Sequence, residues 1–299
     1  MRRNQIEVNN KRFPKINCVQ TLRNRKLFKY FLKTEEDIFI KTKYNNMKEI
    51  YSLKGKKALI TGGSKGIGLA ITKLFIELGA EVFIAARNKR LIDDMIKTYK
   101  GKELSGVAAD ISKPAGIEKL MKAVTKKWNR VDILVNNAGF NIRKKSDEYT
   151  EKEFNTIIDT NLKSVFRISV RMLPLLMKAK SASIVNISSV AGITALRTGS
   201  PYAMTKAGII QLTKNLAVEW ARHGIRVNAI APWYIKTPLT EKLLNDNKYL
   251  KSILERTPMG RYGETEEVAK VAAFLVSDAS TYVTGQCIAV DGGFSVYGF

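Results

Sequence analysis

From Leu53 onward the chain alternates two hydrophobic patterns. Short apolar runs, many of them β-branched, at 57–61, 81–86, 104–109, 131–135, 182–188, 225–230 and 286–290 read as strands. The stretches between them are longer, and their apolar residues recur three and four apart. In 67–78, for example, Ile67, Ile71, Leu74, Phe75 and Leu78 share one helical face. Strand and helix in strict alternation predict an α/β fold, a single Rossmann-type doubly wound parallel sheet of about seven strands with helices on both faces. Such a sheet binds ligands beyond the carboxyl ends of its strands, so chemistry is expected just after each run.

The first of these ends reads Thr61-Gly62-Gly63-Ser64-Lys65-Gly66-Ile67-Gly68. Its glycines allow a tight turn and a close approach to a pyrophosphate, and the helix that follows aims N–H groups and the positive end of its dipole at it. Gly62-x-Ser64-x-Gly66 also imitates a hydrolase nucleophile elbow, but the only histidine is His223, in Ala221-Arg222-His223-Gly224, where it suits a helix C-terminus. The second strand ends in Arg87, where an NAD enzyme offers an acid to the ribose 2′-hydroxyl. Arg87, with Lys65 in the glycine loop, suits the 2′-phosphate of NADP; the bland alternative is a solvated basic turn.

Composition narrows the picture. The chain has 299 residues, 45% of them apolar, and a formal charge of +24. No apolar run reaches the roughly 18 residues of a membrane span; the best, 165–177, is broken by Arg167, Arg171 and Pro174. Two cysteines, Cys18 and Cys287, are too few for a disulfide framework and fit a reducing, cytoplasmic compartment. No metal site is expected. The lysines are scattered without interleaved aromatics, which argues against nucleic acid. Residues 1–46 stand apart, with twelve Lys/Arg, four Asp/Glu and no glycine or serine. They read as a basic extension, with Met47 a natural start; a transit peptide is the alternative. Residues 47–299 read as the catalytic domain.

Two further strand ends carry Asn136-Asn137-Ala138-Gly139 and Ser188-Ser189, and Tyr202-x-x-x-Lys206 follows. Four apart on a helix, Tyr202 and Lys206 share a face. A free tyrosine, with a pKa of about 10, is a poor base near neutrality, and a nearby ammonium favours the phenolate. With these motifs in this order, residues 52–299 resemble a short-chain dehydrogenase/reductase. The stretches from Asn228 to Leu239, Arg256-Thr257-Pro258-Met259-Gly260-Arg261 and the ending Asp291-Gly292-Gly293-Phe294 add a likeness to the tropinone reductase-like branch. That branch name is not a substrate assignment.

The resemblance implies an NADP(H)-dependent oxidoreductase in which Tyr202 is the general acid/base, Lys206 tunes it and holds the nicotinamide ribose, Ser189 binds the reacting oxygen and Asn161 holds a water in a proton relay. It also implies cofactor contacts from Gly62, Ser64, Lys65, Gly66, Ile67 and Gly68, and from Arg87, Asp110, Ile111, Asn137, Ala138 and Gly139. Pro232, Ile235 and Thr237 complete that set. Ser189, Tyr202, Ile193, Trp233 and Leu239 are the expected substrate contacts. The segment after Pro232 reads as an apolar lid, with Phe140, Ile142 and Leu196 as further walls, which points to a small ketone or its secondary alcohol. Arg143, if turned inward, would instead suit a keto-sugar acid; a 3-oxoacyl thioester is another alternative, and a non-catalytic dinucleotide sensor a third. Family members usually form tetramers, and the apolar tail of Phe294, Val296, Tyr297 and Phe299 suits a homotetramer or dimer.

Overall fold

The computed structural model describes residues 49–298. The basic extension at 1–46, the start at Met47 and the terminal Phe299 lie outside the described residues. Seven parallel strands form one sheet in the order β3-β2-β1-β4-β5-β6-β7. They are β1 (Lys57–Thr61), β2 (Glu81–Ala86), β3 (Leu104–Ala108), β4 (Ile133–Asn136), β5 (Ala182–Ile187), β6 (Ile225–Pro232) and β7 (Cys287–Val290). The crossovers are α1 (Gly66–Glu77), α2 (Lys89–Thr98), α3 (Pro114–Lys127), α4 (Glu151–Ile158), α5 (Ser164–Leu176), α6 (Ser200–Trp220), α7 (Glu241–Leu244), α8 (Asn247–Leu254) and α9 (Thr265–Val276). A wide π turn, Asp159–Lys163, joins α4 to α5.

Neighbouring strand residues point to opposite faces, and both faces are covered, which is why the strands are apolar throughout. Ile60, Ile84 and Val185 join Ile71 and Phe75 of α1 and Ala272 of α9 in one core. Leu59, Phe83 and Ile184, one residue out of phase, join Leu120 of α3, Met172 of α5 and Trp220 of α6 in the other.

All seven expected strands are present, with small shifts at their ends. β6 runs on to Pro232, because Ala231 and Pro232 still pair with Ala289 and Val290 of β7. β4 starts at Ile133 rather than Val131, whose N–H donates to Leu175 O at the end of α5 (3.1 Å). The chain leaves β1 toward β2 and β3 and returns to lay β4 on the other side of β1. A crevice opens at such a reversal, at the carboxyl edge.

Candidate active site

The turn from β1 into α1 is set by its glycines. Gly62 and Gly66 have φ of 68° and 52°, a left-handed conformation that other residues adopt at a cost. Gly68 has another job: a Cβ there would stand 2.2 Å from Gly62 O, so its bareness lets α1 start directly against the turn. Asn137, at the end of β4, ties this cradle to the neighbouring strand. Its Nδ2 donates to Thr61 O (3.0 Å) and Gly62 O (3.2 Å), and its N–H donates to Thr61 Oγ1 (3.0 Å).

Gly62, Ser64, Lys65, Gly66 and Ile67 line one side of a cavity of about 530 Å3. Arg87, Asp110, Ile111, Asn137, Ala138 and Gly139 also line it, as do Pro232 at the end of β6 and Ile235 and Thr237 in the segment that follows. Gly68 lies behind the wall. At the end of β2, Lys89 and Arg90 pair with Asp93 and Asp94 of α2, whereas Arg87 and Lys65 form no ion pair among the described residues. Asp110 accepts from both the hydroxyl and the N–H of Ser112, and the hydroxyl bond above all holds its carboxyl below the usual carboxylate value.

Across the crevice, Ser189, Tyr202 and Lys206 line the same cavity. Ser189 caps a 3-10 turn, Val190–Gly192, after β5. That turn sits on the backbone of α6, where a Cβ on Gly192 would come within 2.6 Å of Lys206 C. Lys206 is only 4% exposed. Its Nζ donates to Ile187 O (2.9 Å) and lies 5.5 Å from the centroid of the Tyr202 ring. Asn161, in the π turn, is fully buried and does not line the cavity. Its amide is spent on Phe140, accepting from the N–H (3.0 Å) and donating to the carbonyl (2.8 Å). Gly139 fills the space between it and Lys206: a Cβ there would lie 3.2 Å from Asn161 Oδ1 and 3.7 Å from Lys206 Nζ.

The electrostatics differ from the expected lysine-lowered phenol. Burial pushes the Tyr202 phenol above its ordinary value; the Ser189 hydroxyl and, to a lesser degree, the Arg143 charge oppose it. Lys206 reaches a backbone carbonyl and the ring rather than the hydroxyl, and burial pulls its own ammonium down to about 8.

The remaining walls are mixed. Trp233 and Leu239 line the cavity, as do Phe140 and Leu196, while Ile193 is 50% exposed and outside the lining. Trp233 stacks on Phe294 (3.7 Å, 10°), so the tail packs onto the site of its own chain. The expected lid is largely turned on itself. Leu243, Leu244, Tyr249 and Leu250 pack with Ile253 and Tyr234 in a small separate core, and Tyr234 Oη and Tyr249 Oη share a hydrogen bond (2.6 Å).

Between lid and catalytic wall lie three groups that hydrophobic patterning does not find. Arg143 lines the cavity, and its Nε is buried without a partner. Its neighbours behave otherwise: Lys144 pairs with Glu153 (2.7 Å) and Lys145 is exposed. Asn141 Oδ1 and Thr198 Oγ1, also in the lining, have no partner either, although Asn141 Nδ2 donates to Thr198 O (2.8 Å). Arg143 is legible as a cation just past a strand end; nothing in the sequence marks Asn141 or Thr198.

A family model described as enoyl-(acyl carrier protein) reductase matches residues 62–295. A chloroplastic tropinone reductase homolog of Arabidopsis thaliana is 45% identical over 255 residues, 84% of this chain and 79% of the relative. A gluconate 5-dehydrogenase from Burkholderia cenocepacia, solved in complex with NADP and tartrate, is 32% identical. It superposes with a TM-score of 0.80 over 84% of this chain and 99% of its own. The RhlG protein of Pseudomonas aeruginosa, in an active-site complex with NADP, is 37% identical with a TM-score of 0.77, over 82% and 98%.

Proposed function

The chain belongs to the short-chain dehydrogenase/reductase family, a family of oxidoreductases, and from that premise we propose that it interconverts a ketone and a secondary alcohol with NADP(H). The observation that carries this reading is the meeting of the glycine cradle with Ser189, Tyr202 and Lys206 in one cavity. The cradle fits a dinucleotide: its glycines leave room for a diphosphate against the start of α1. Arg87 and Lys65, which form no ion pair among the described residues, suit a 2′-phosphate, and NADP occupies the solved relatives named above. NADPH held there would supply the hydride needed to reduce a carbonyl carbon.

Ser189 and Tyr202 present two hydroxyl donors to the carbonyl oxygen. Tyr202 gives up its proton to that oxygen, and solvent returns it. Burial, which keeps the phenol protonated, suits it to act as the acid at neutral pH. Lys206, anchored on Ile187 O, stabilises the phenolate that forms. Asn161 positions the loop through Phe140, which keeps Gly139 against Lys206.

The test is NADPH oxidation across a carbonyl panel with wild type and Tyr202→Phe. The variant should lose about 10²- to 10⁴-fold in kcat while binding NADPH as tightly as before. Near-normal turnover would end the assignment. The proposal extends to a homotetramer or dimer, because apolar side chains stand in solvent on adjoining helices. Phe166 of α5 is 50% exposed and Val218 of α6 is 81% exposed.

A further inference from the structure

Resting on the reading of this site as a carbonyl reductase, we propose that Arg143, Asn141 and Thr198 form a subsite for an anionic, hydroxyl-bearing substrate. The substrate is then a short hydroxylated keto acid, its carboxylate on Arg143 and its carbonyl at Tyr202.

All three residues line the cavity, each carries a buried polar atom without a partner, and Asn141 Nδ2 donates to Thr198 O (2.8 Å). A buried N–H without an acceptor is costly to leave so, and native proteins seldom do it without a reason. Thr198 is 6% exposed and lines the cavity, and its buried hydroxyl has no protein partner. The three atoms form a complementary set. A guanidinium N–H donates to a carboxylate oxygen, Asn141 Oδ1 accepts from a hydroxyl, and Thr198 Oγ1 either accepts or donates.

Other occupants fit less well. An intramolecular acid is absent: no carboxylate of the described residues lies within ion-pair distance of Arg143, and the nearby Glu153 is taken by Lys144. Asp110 is the one acid in the lining, and it belongs to the loop after β3, bonded to Ser112. The 2′-phosphate has its own cations in Arg87 and Lys65, at the turns after β2 and β1. Arg143 follows β4 instead, and its charge acts on the phenols of Tyr202 and Tyr234, at the reacting end. A wholly apolar ketone would bury the guanidinium still deeper, with the Tyr234 hydroxyl beside it but no carboxylate to balance its charge.

Three compounds separate the possibilities: 5-ketogluconate, the corresponding uncharged hexulose in which CH2OH replaces the carboxylate, and cyclohexanone. Wild type should prefer 5-ketogluconate in kcat/KM. Arg143→Ala should cut its selectivity for 5-ketogluconate over the hexulose about 10- to 100-fold, mainly by raising KM, and Arg143→Lys should restore part of it. Thr198→Val should raise KM for both sugars. Gluconate should bind calorimetrically to the NADP-loaded Tyr202→Phe protein and lose affinity when Arg143→Ala is added. Preference for cyclohexanone would overturn the subsite. So would an Arg143→Ala variant that weakens all three substrates alike, or that weakens NADPH binding itself. NADPH oxidation with none of the panel would instead count against the carbonyl-reductase reading beneath it.

Discussion

Burial drives Tyr202 and Lys206 in opposite directions, one phenol held protonated and one ammonium made easier to lose. The lysine leaves a thermodynamic signature. Its folded pKa, about 8, lies below that of an unfolded lysine, so between those values the unfolded chain holds more protons and stability rises with pH. Wild type should therefore gain stability relative to Lys206→Met from pH 8 toward 10, by at most about 3 kcal/mol, in urea titrations at stepped pH. A difference independent of pH would remove the burial argument. The second residue-scale expectation concerns Arg87. Arg87→Asp should lower the NADPH-to-NADH ratio of kcat/KM at least about tenfold, since it exchanges a charge-assisted donor for a repelling acid. Equal use of both cofactors by wild type would defeat it. The glycine loop, Ser189 and Tyr202 are legible in sequence because backbone geometry and proton chemistry demand particular residue types. Asn141 and Thr198 are not, since an ordinary loop polar residue gains meaning only when its partners are found missing.

At the scale of elements, the strands were legible for a simple reason: both faces of the sheet are covered, so the apolar runs stand out. Their ends were less so, because β6 continues wherever β7 offers a partner, which no local pattern records. The segment after Pro232 shows another limit. Its apolar residues were read as lid and pocket wall, but α7 and α8 turn most of them toward each other. Hydrophobicity announces burial without naming the neighbour. The start of α1 gives the sharpest mechanical test. Gly68→Ala would place a methyl 2.2 Å from Gly62 O and 2.4 Å from Asn137 Nδ2. The variant should lose about 1–3 kcal/mol in denaturant melts and bind NADPH more weakly, because the helix must back away from the turn. Full stability would mean that α1 shifts freely.

At the scale of the molecule, charge and surface point different ways. The excess of basic residues is densest in residues 1–46 and scattered through the rest, and no helix among the described residues is long and apolar enough to cross a membrane. Among the exposed apolar side chains are Phe166 and Val170 of α5 and Val218 of α6, together with Tyr282 and Val296 nearer the C-terminus. Large exposed apolar side chains such as these suit association. Light scattering at micromolar concentration should give a dimer or tetramer, shifted to smaller species by Phe166→Asp. A wild-type monomer would refute the assembly. In the tail, Phe294 is occupied by Trp233, while Val296 and Tyr297 stay exposed and available to a neighbouring subunit.

The reversal of strand order at β1 also separates two traits along the gene. Lys65, Arg87 and Asp110, which we assign to the cofactor's adenosine end, all come before α3. Asn141, Arg143, Ser189, Thr198 and Tyr202, which face the reacting end, all come after β4. The two halves share the core and also meet at Asn137, whose side chain donates to the backbone carbonyls of Thr61 and Gly62. Cofactor choice and substrate range can therefore each respond to substitutions within its own stretch of sequence, so a lineage can acquire new substrates without first renegotiating its source of reducing power.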